Sequence, residues 1–308
     1  MNIIKPQKLK IGDTIGLLSV SGDIREPQRI ENAKQYFQKK GYNVVVSDTT
    51  YLKDRYFAGT DKQRLKALHS FFSDEQINAI VCTRGGYGAI RLIKDIDYSI
   101  IRNNPKIFVG YSDITAILAM IYKKTGIITF HGAMANGDFG CDDVESFTEK
   151  NFFEALCGET SCFFAGEDFK VYNGGGSCGL FWGGNLATLA SLAGQDFIPD
   201  DKFVLFLEDL NEPVYKIDRM LRQLINIDKF KNNMVGLALG KFSQLDNFEN
   251  YDLLLKELAN ELTIPICSGF LISHERKKMT VPIGITVDFN ATEGKLVFKE
   301  SFFEYPQE

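Results

Sequence analysis

The chain has 308 residues, 44% of them hydrophobic and 24% charged, with 35 basic against 40 acidic side chains for a formal charge of −5. That balance is ordinary for a soluble globular protein and excludes a disordered or collagen-like chain. It carries no basic footprint for nucleic acid, and no window reaches the ~20 apolar residues that a bilayer span needs.

The N-terminal run IGLLSV is too short for a signal-peptide core, and no Ala-x-Ala-like site follows it, so a cytoplasmic protein is expected. TIGLLSV (14–20) reads as a buried strand, 25–42 as a helix ending at Gly41, and NVVVSD (43–48) as a strand. A helix over 61–75 follows, with Leu65, Leu68 and Phe72 on one face, then a strand at 77–83. IFVGYS (107–112), a helix over 113–126 and the strand IITFHG (127–132) complete the series. Apolar, non-alternating strands separated by helices predict an α/β domain over 1–140, with a flavodoxin/Rossmann-like parallel sheet. Ligands bind at the carboxyl ends of such strands, which directs attention to the residues after 20, 83 and 112.

From 141 to 178 glycine, cysteine and acidic residues dominate, and this stretch reads as a linker or crossover. A mixed α/β domain is expected over 179–308. There, 182–194 reads as a helix opening on glycines, 203–209 as a strand and 216–227 as a helix. Strand, helix and strand follow at 234–243, 252–262 and 265–274, with a hairpin at 285–298 turning near Thr292–Gly294. The six cysteines form no C-x-x-C pair and no Cys/His zinc spacing, which predicts reduced, mostly buried thiols.

Four local features carry chemistry. In Gly110-Tyr111-Ser112-Asp113, a serine lies between a strand and a helix, the arrangement of a nucleophile elbow, although Ile114 replaces the second glycine. Ser112 or Asp113 as a plain helix N-cap is the competing reading. Arg84-Gly85-Gly86-Tyr87-Gly88 follows a strand and suits a phosphate cradle, an oxyanion hole or a tight turn. Of the three histidines, His274 and His131 end strands, whereas His69 sits on a helix beside Leu65 and Phe72. Glu208 and Asp209 end a strand, with Glu212 nearby; such carboxylates orient a histidine, bind a cationic substrate or lie solvated in a turn. Trp182 is either a pocket wall or core.

In combination, CTRGGYGAIRLI (82–93), FVGYSDITAIL (108–118), TFHGAM (129–134), WGGNLATLASLAG (182–194), FLEDLNEPVYKIDRMLRQL (206–224) and SHERKKMTVPIG (273–284) resemble the LD-carboxypeptidase family of serine peptidases. Ala133 departs from the proline that often follows His-Gly in relatives. The resemblance implies a Ser-Glu-His triad of Ser112, Glu208 and His274. It also implies an oxyanion hole from the N–H groups of Asp113 and Gly86, or Gly85, and no metal or organic cofactor. It further implies a cytoplasmic homodimer that releases terminal D-alanine from murein tetrapeptides. Arg84, Trp182, Asp209 and Glu212 are candidate substrate contacts. Two other readings stand beside it: a microcin-immunity-like peptidase acting on peptidyl- or aminoacyl-nucleotides, and a non-catalytic module holding a peptide or anion.

Overall fold

The apolar runs of the first half assemble into one sheet in the computed structural model, which describes residues 2–304. Strands β1 (Thr14–Leu18), β2 (Asn43–Val46), β3 (Ala79–Cys82), β4 (Ile107–Gly110) and β5 (Thr129–His131) are parallel, in the order β2-β1-β3-β4-β5. Every residue of β3 and β4 is buried, because helices cover both faces; edge strand β2 alternates exposed with half-buried. The connecting helices are α1 (Pro27–Lys39), α2 (Asp61–Ser73), α3 (Tyr98–Asn103) and α4 (Thr115–Thr125). Local chemistry sets their ends: Pro27 opens α1, a Thr60–Gln63 capping box opens α2, and left-handed Gly126 closes α4. The strand order reverses between β1 and β3, and a doubly wound sheet opens a crevice at that point.

The second half contains α5 (Ser146–Cys157), β6 (Cys162–Phe164), β7 (Lys170–Asn173), β8 (Gly176–Asn185), α6 (Leu186–Ser191), β9 (Phe203–Leu210), α7 (Val214–Ile225) and α8 (Asp228–Asn233). It continues with β10 (Met234–Ser243), α9 (Phe248–Leu262), β11 (Ile266–Ser268), β12 (Val281–Ile283), β13 (Ile285–Asn290) and β14 (Lys295–Phe298). Its sheet has the order β6-β14-β13-β8-β9-β10-β11-β7, with β8 to β11 parallel and the flanking strands antiparallel. The architecture is two-domain α/β with two mixed sheets.

Several expectations change here. The stretch 141–178 is more than a crossover: it holds α5 and supplies both edge strands, β6 and β7, of the second sheet. Residues 182–185 end a strand rather than opening a helix. A Cβ on Gly183 would stand 1.9 Å from the Phe206 carbonyl oxygen, so glycine here marks strand-against-strand contact and not a helix cap. The strand expected at 265–274 stops at Ser268, where pairing with both β10 and β7 ends, and His274 lies in the loop beyond. β12 leaves the C-terminal half and pairs antiparallel with β5, Val281 opposite His131. Among the cysteines, all free, only Cys82 and Cys267 are buried, and Cys178 is exposed on the outer half of β8.

Helix α4 lies where the halves meet. All its residues except Lys124 are buried, which accounts for the nearly unbroken apolar sequence TAILAMIY. The Thr115 hydroxyl accepts the Asn185 N–H at 3.1 Å, fastening α4 to the end of β8. No helix among the described residues is long and apolar enough to cross a membrane.

Candidate active site

The elbow after β4 is strained where a nucleophile elbow should be. Ser112 has φ +62°, in the left-handed region that costs a non-glycine residue about 1–2 kcal/mol. Neither Ser112 nor Asp113 caps the helix with its side chain. The Asp113 carboxylate faces inward instead. Its Oδ2 accepts the Ser21 hydroxyl at 2.5 Å and the Ala89 N–H at 2.8 Å, tying the chain after β1 and after β3 to the elbow. Burial raises the Asp113 carboxyl above its ordinary value, against the pull of those two hydrogen bonds and Arg64.

The glycine turn after β3 packs on the same serine. A Cβ on Gly85 would lie 3.0 Å from Ser112 Oγ. The Gly85 carbonyl accepts the Gly22 N–H at 3.1 Å, and Arg84 Nη1 donates to the Asp23 carbonyl at 2.8 Å. The turn is thus held from the β1 side of the sheet's switch point.

Across the cleft, His274 Nδ1 is 2.6 Å from Glu208 Oε2. Glu208 lies near the end of β9 with a side chain of 0% exposure, where a hydrogen bond to imidazole is strong. Engaging Nδ1 leaves Nε2 as the ring's free nitrogen. The Tyr111 ring meets the His274 ring edge-on at 5.0 Å. Ser112, His274, Arg84, Gly85 and Gly86 line one cleft of about 280 Å³, with Arg25 and Glu26 at its wall. Among the described residues no hydrogen bond joins the Ser112 hydroxyl to the imidazole; the two face one cleft. No group of three or more His, Cys, Asp or Glu among the described residues is arranged to hold a metal ion.

Residues 15–132 match the LD-carboxypeptidase N-terminal domain and residues 178–289 the LD-carboxypeptidase C-terminal domain. The chain is 33% identical to the probable murein peptide carboxypeptidase of Bacillus subtilis (strain 168), over 97% of this chain and 96% of that one. It belongs to the LD-carboxypeptidase family. Membership makes it a peptidase, a hydrolase. The microcin C7 self-immunity protein MccF of Escherichia coli is 28% identical over 92% of each chain. A solved structure of MccF in complex with aspartyl sulfamoyl adenosine superposes with a TM-score of 0.89 at 26% identity, over 98% of this chain and 100% of that one. The muramoyltetrapeptide carboxypeptidase structure from Oxalobacter formigenes gives 0.83 at 27% identity, over 96% and 100%.

For this family member, two of the four expected substrate contacts, Trp182 and Asp209, are turned away from the cleft, and Glu212 is not among the residues that line it. Trp182 is fully buried, its ring against Phe197, Phe203 and Phe230. Asp209 follows Glu208 on β9, and successive strand residues face opposite ways, so only one of the pair reaches the cleft. Asp209 instead accepts from Asn185 Nδ2, the Ala187 N–H and the Leu210 N–H, each at 2.8 Å, and so holds the start of α6. Burial pushes its carboxyl up to about 6. Glu212 pairs with Lys216 at 3.6 Å. Arg84 remains on the cleft wall.

His69 packs on its helix and accepts the Asp97 N–H at 2.9 Å, which fixes the start of α3. His131 is buried against Tyr111, its ring edge-on to Phe206 at 5.3 Å; burial lowers it to about 4, so it is neutral. Sequence reading missed Arg25 and Glu26, although both follow β1, where the strand-end rule pointed. It also missed Tyr111, Asn136 and Gly137, whose side chains or backbone line the cleft. Their only signal was proximity to strand ends in the chain.

Proposed function

We propose that this LD-carboxypeptidase family member is a serine-type enzyme of the cytoplasm. On this reading it hydrolyses the L,D-peptide bond that releases terminal D-alanine from murein tetrapeptides, acting as a homodimer and without metal or cofactor. The observation that carries the reading is the strained Ser112 elbow opening on the same cleft as a His274 ring bonded to Glu208.

The chemistry follows from the residue types. A serine hydroxyl at neutral pH needs a base. His274 Nε2 takes the Ser112 proton as Oγ attacks the scissile carbonyl carbon. The carbonyl oxygen becomes an oxyanion held by the N–H groups of Asp113 and Gly86, or Gly85; one such donor lowers the barrier by about 3–4 kcal/mol. The imidazolium then protonates the departing D-alanine amine, leaving an ester on Ser112. Water attacks that ester, His274 takes the water's proton, and the same proton returns to Oγ as the shortened peptide leaves. Glu208 fixes the Nδ1–H tautomer and offsets the imidazolium charge. Arg84 suits the carboxylate of the leaving residue, because a guanidinium offers paired donors to that anion.

Incubation with L-Ala-D-Glu-meso-diaminopimelate-D-Ala tests the proposal. Release of D-alanine by the wild type and its loss in Ser112→Ala are expected; no release by the wild type overturns it. The likeness to MccF supports a second reading, hydrolysis of aminoacyl- or peptidyl-nucleotides. Cleavage of an aminoacyl sulfamoyl adenosine with no action on the tetrapeptide decides for that activity. Failure of Ser112 to react with any serine-directed probe would instead leave a binding module.

A further inference from the structure

Three separate segments wall the Ser112 cleft: the elbow, the turn at 134–138 and the loop that carries His274. One ion pair beneath the cleft joins them. Lys278 Nζ donates to Asp138 Oδ1 at 2.7 Å and to Tyr111 Oη at 3.1 Å, and it lies 4.3 Å from the centroid of the Tyr111 ring. The Lys278 and Asp138 side chains are 3% and 6% exposed. Asp138 Oδ2 accepts the Met134 N–H at 2.8 Å, closing the turn. Tyr111 then carries the contact to the imidazole at 5.0 Å.

Burial of two charges is expensive, and apolar replacement of a buried pair is often neutral or stabilising for the fold. The pair therefore contributes little to stability that Leu or Met would not. Its position is unusual in another way: it touches the residue before Ser112 and belongs to the loop of His274. We infer that Lys278 and Asp138 are positioning residues that hold Tyr111 against His274 and balance the charge felt by the imidazole. The inference rests on His274 being the base and is independent of which peptide is cut.

The sign of the electrostatic effect is fixed by the geometry. The imidazole meets Glu208 and Tyr111 directly and neutral His131 nearby; Lys278 and Asp138 lie behind Tyr111, Arg25, Glu26 and Arg84 stand at the cleft wall, and Glu275, Arg276 and Lys277 follow on its own loop. Removing the Lys278 cation leaves Asp138 unopposed, which favours imidazolium. Removing the Asp138 charge leaves Lys278 unopposed, which disfavours it.

The test is the rate of Ser112 phosphonylation by a fluorophosphonate as a function of pH, measured on the full chain beside tetrapeptide turnover. Lys278→Met is expected to react at least tenfold more slowly, with its acid limb moved to higher pH by about half a unit or more. Asp138→Asn moves that limb to lower pH, and Lys278→Arg restores most of the rate. Lys278→Met and Asp138→Asn each leave one buried charge unpaired and melt below the wild type, so the rates are compared well below every midpoint, where all variants are folded. Limbs that do not move, or that move the same way, overturn the inference. A wild type that never labels at Ser112 overturns both this inference and the triad. Labelling without tetrapeptide cleavage overturns only the proposed substrate.

Discussion

Gly85 stands against Ser112 so closely that a Cβ there would lie 2.9 Å from the serine Cβ and 3.0 Å from its Oγ, with the Asp113 nitrogen at 3.3 Å. Any side chain at 85 must displace the serine or the turn. Gly85→Ala is therefore expected to lower kcat/KM at least a hundredfold, the scale of a displacement of about 1 Å at a reacting group. Circular dichroism should show an intact fold, and near-normal turnover would remove Gly85 from the site.

Ser112 itself stores backbone strain at φ +62°. Glycine adopts that conformation freely, so Ser112→Gly should gain about 1 kcal/mol in urea unfolding while losing all peptidase activity. Ser112→Ala should be equally inactive without the gain. A Ser112→Gly variant no more stable than Ser112→Ala argues against a strained elbow.

Glu208 offers one carboxylate oxygen to His274 Nδ1 and has no exposed surface. Glu208→Gln presents either an amide N–H or a weaker acceptor to that nitrogen and disturbs the tautomer. A fall in kcat of about 10³–10⁴ with little change in KM is expected, by analogy with the acid of other serine triads. A proportionate rise in KM would instead assign Glu208 to substrate binding.

His131 and Asp209 give opposite pH dependences of stability. His131 falls from 6.5 to about 4 on burial, so the unfolded chain takes up a proton first as pH drops, and stability is lost from about pH 6.5 downwards through 4. Asp209 rises from 3.8 to about 6, so its contribution is complete below 3.8 and is lost as pH climbs through 6. Each full shift corresponds to about 3 kcal/mol, and the two overlap between pH 4 and 6. His131→Leu should therefore gain about 3 kcal/mol relative to the wild type on going from pH 7 to pH 4, read by denaturant melts. A constant difference would mean that His131 titrates normally.

Asp209 and Arg84 should separate stability from substrate recognition. Asp209→Ala strips two hydrogen bonds from the start of α6 and one from the Leu210 N–H, and should cost about 2 kcal/mol while leaving KM unchanged. Arg84→Gln loses one hydrogen bond to the Asp23 carbonyl, a cost of about 1 kcal/mol, and should raise KM about tenfold for a peptide with a free C-terminal carboxylate, but not for its C-terminal amide. Equal losses on acid and amide would rule out carboxylate recognition by Arg84.

The parts of this fold legible in the chain are those governed by neighbours a few residues apart. β3 and β4 read correctly because both their faces are covered, which makes their sequences continuously apolar. The Ser112 turn was legible from a glycine, a polar pair and an apolar helix in immediate succession. β8 was not, because its glycines answer to Phe206 and Thr115, residues remote in sequence. β12 was not, because three residues acquire their sheet only by pairing with Thr129–His131.

The sequence by itself determined the alternation of strands and helices, the elbow motif and the short roster of acids and histidines available to it. Tertiary structure alone decided which of Glu208 and Asp209 meets His274. Both end the same strand, and the choice is one of pleat phase, set by pairing Asn185 with Glu208 and Phe242 with Asp209 on the two sides of β9. It also decided that Lys278, 140 residues from Asp138 and 167 from Tyr111 in sequence, should meet both beside the Ser112 turn. Local propensity acts over a turn or two, whereas register and burial are properties of the packed whole, and the three histidines acquired different fates only there.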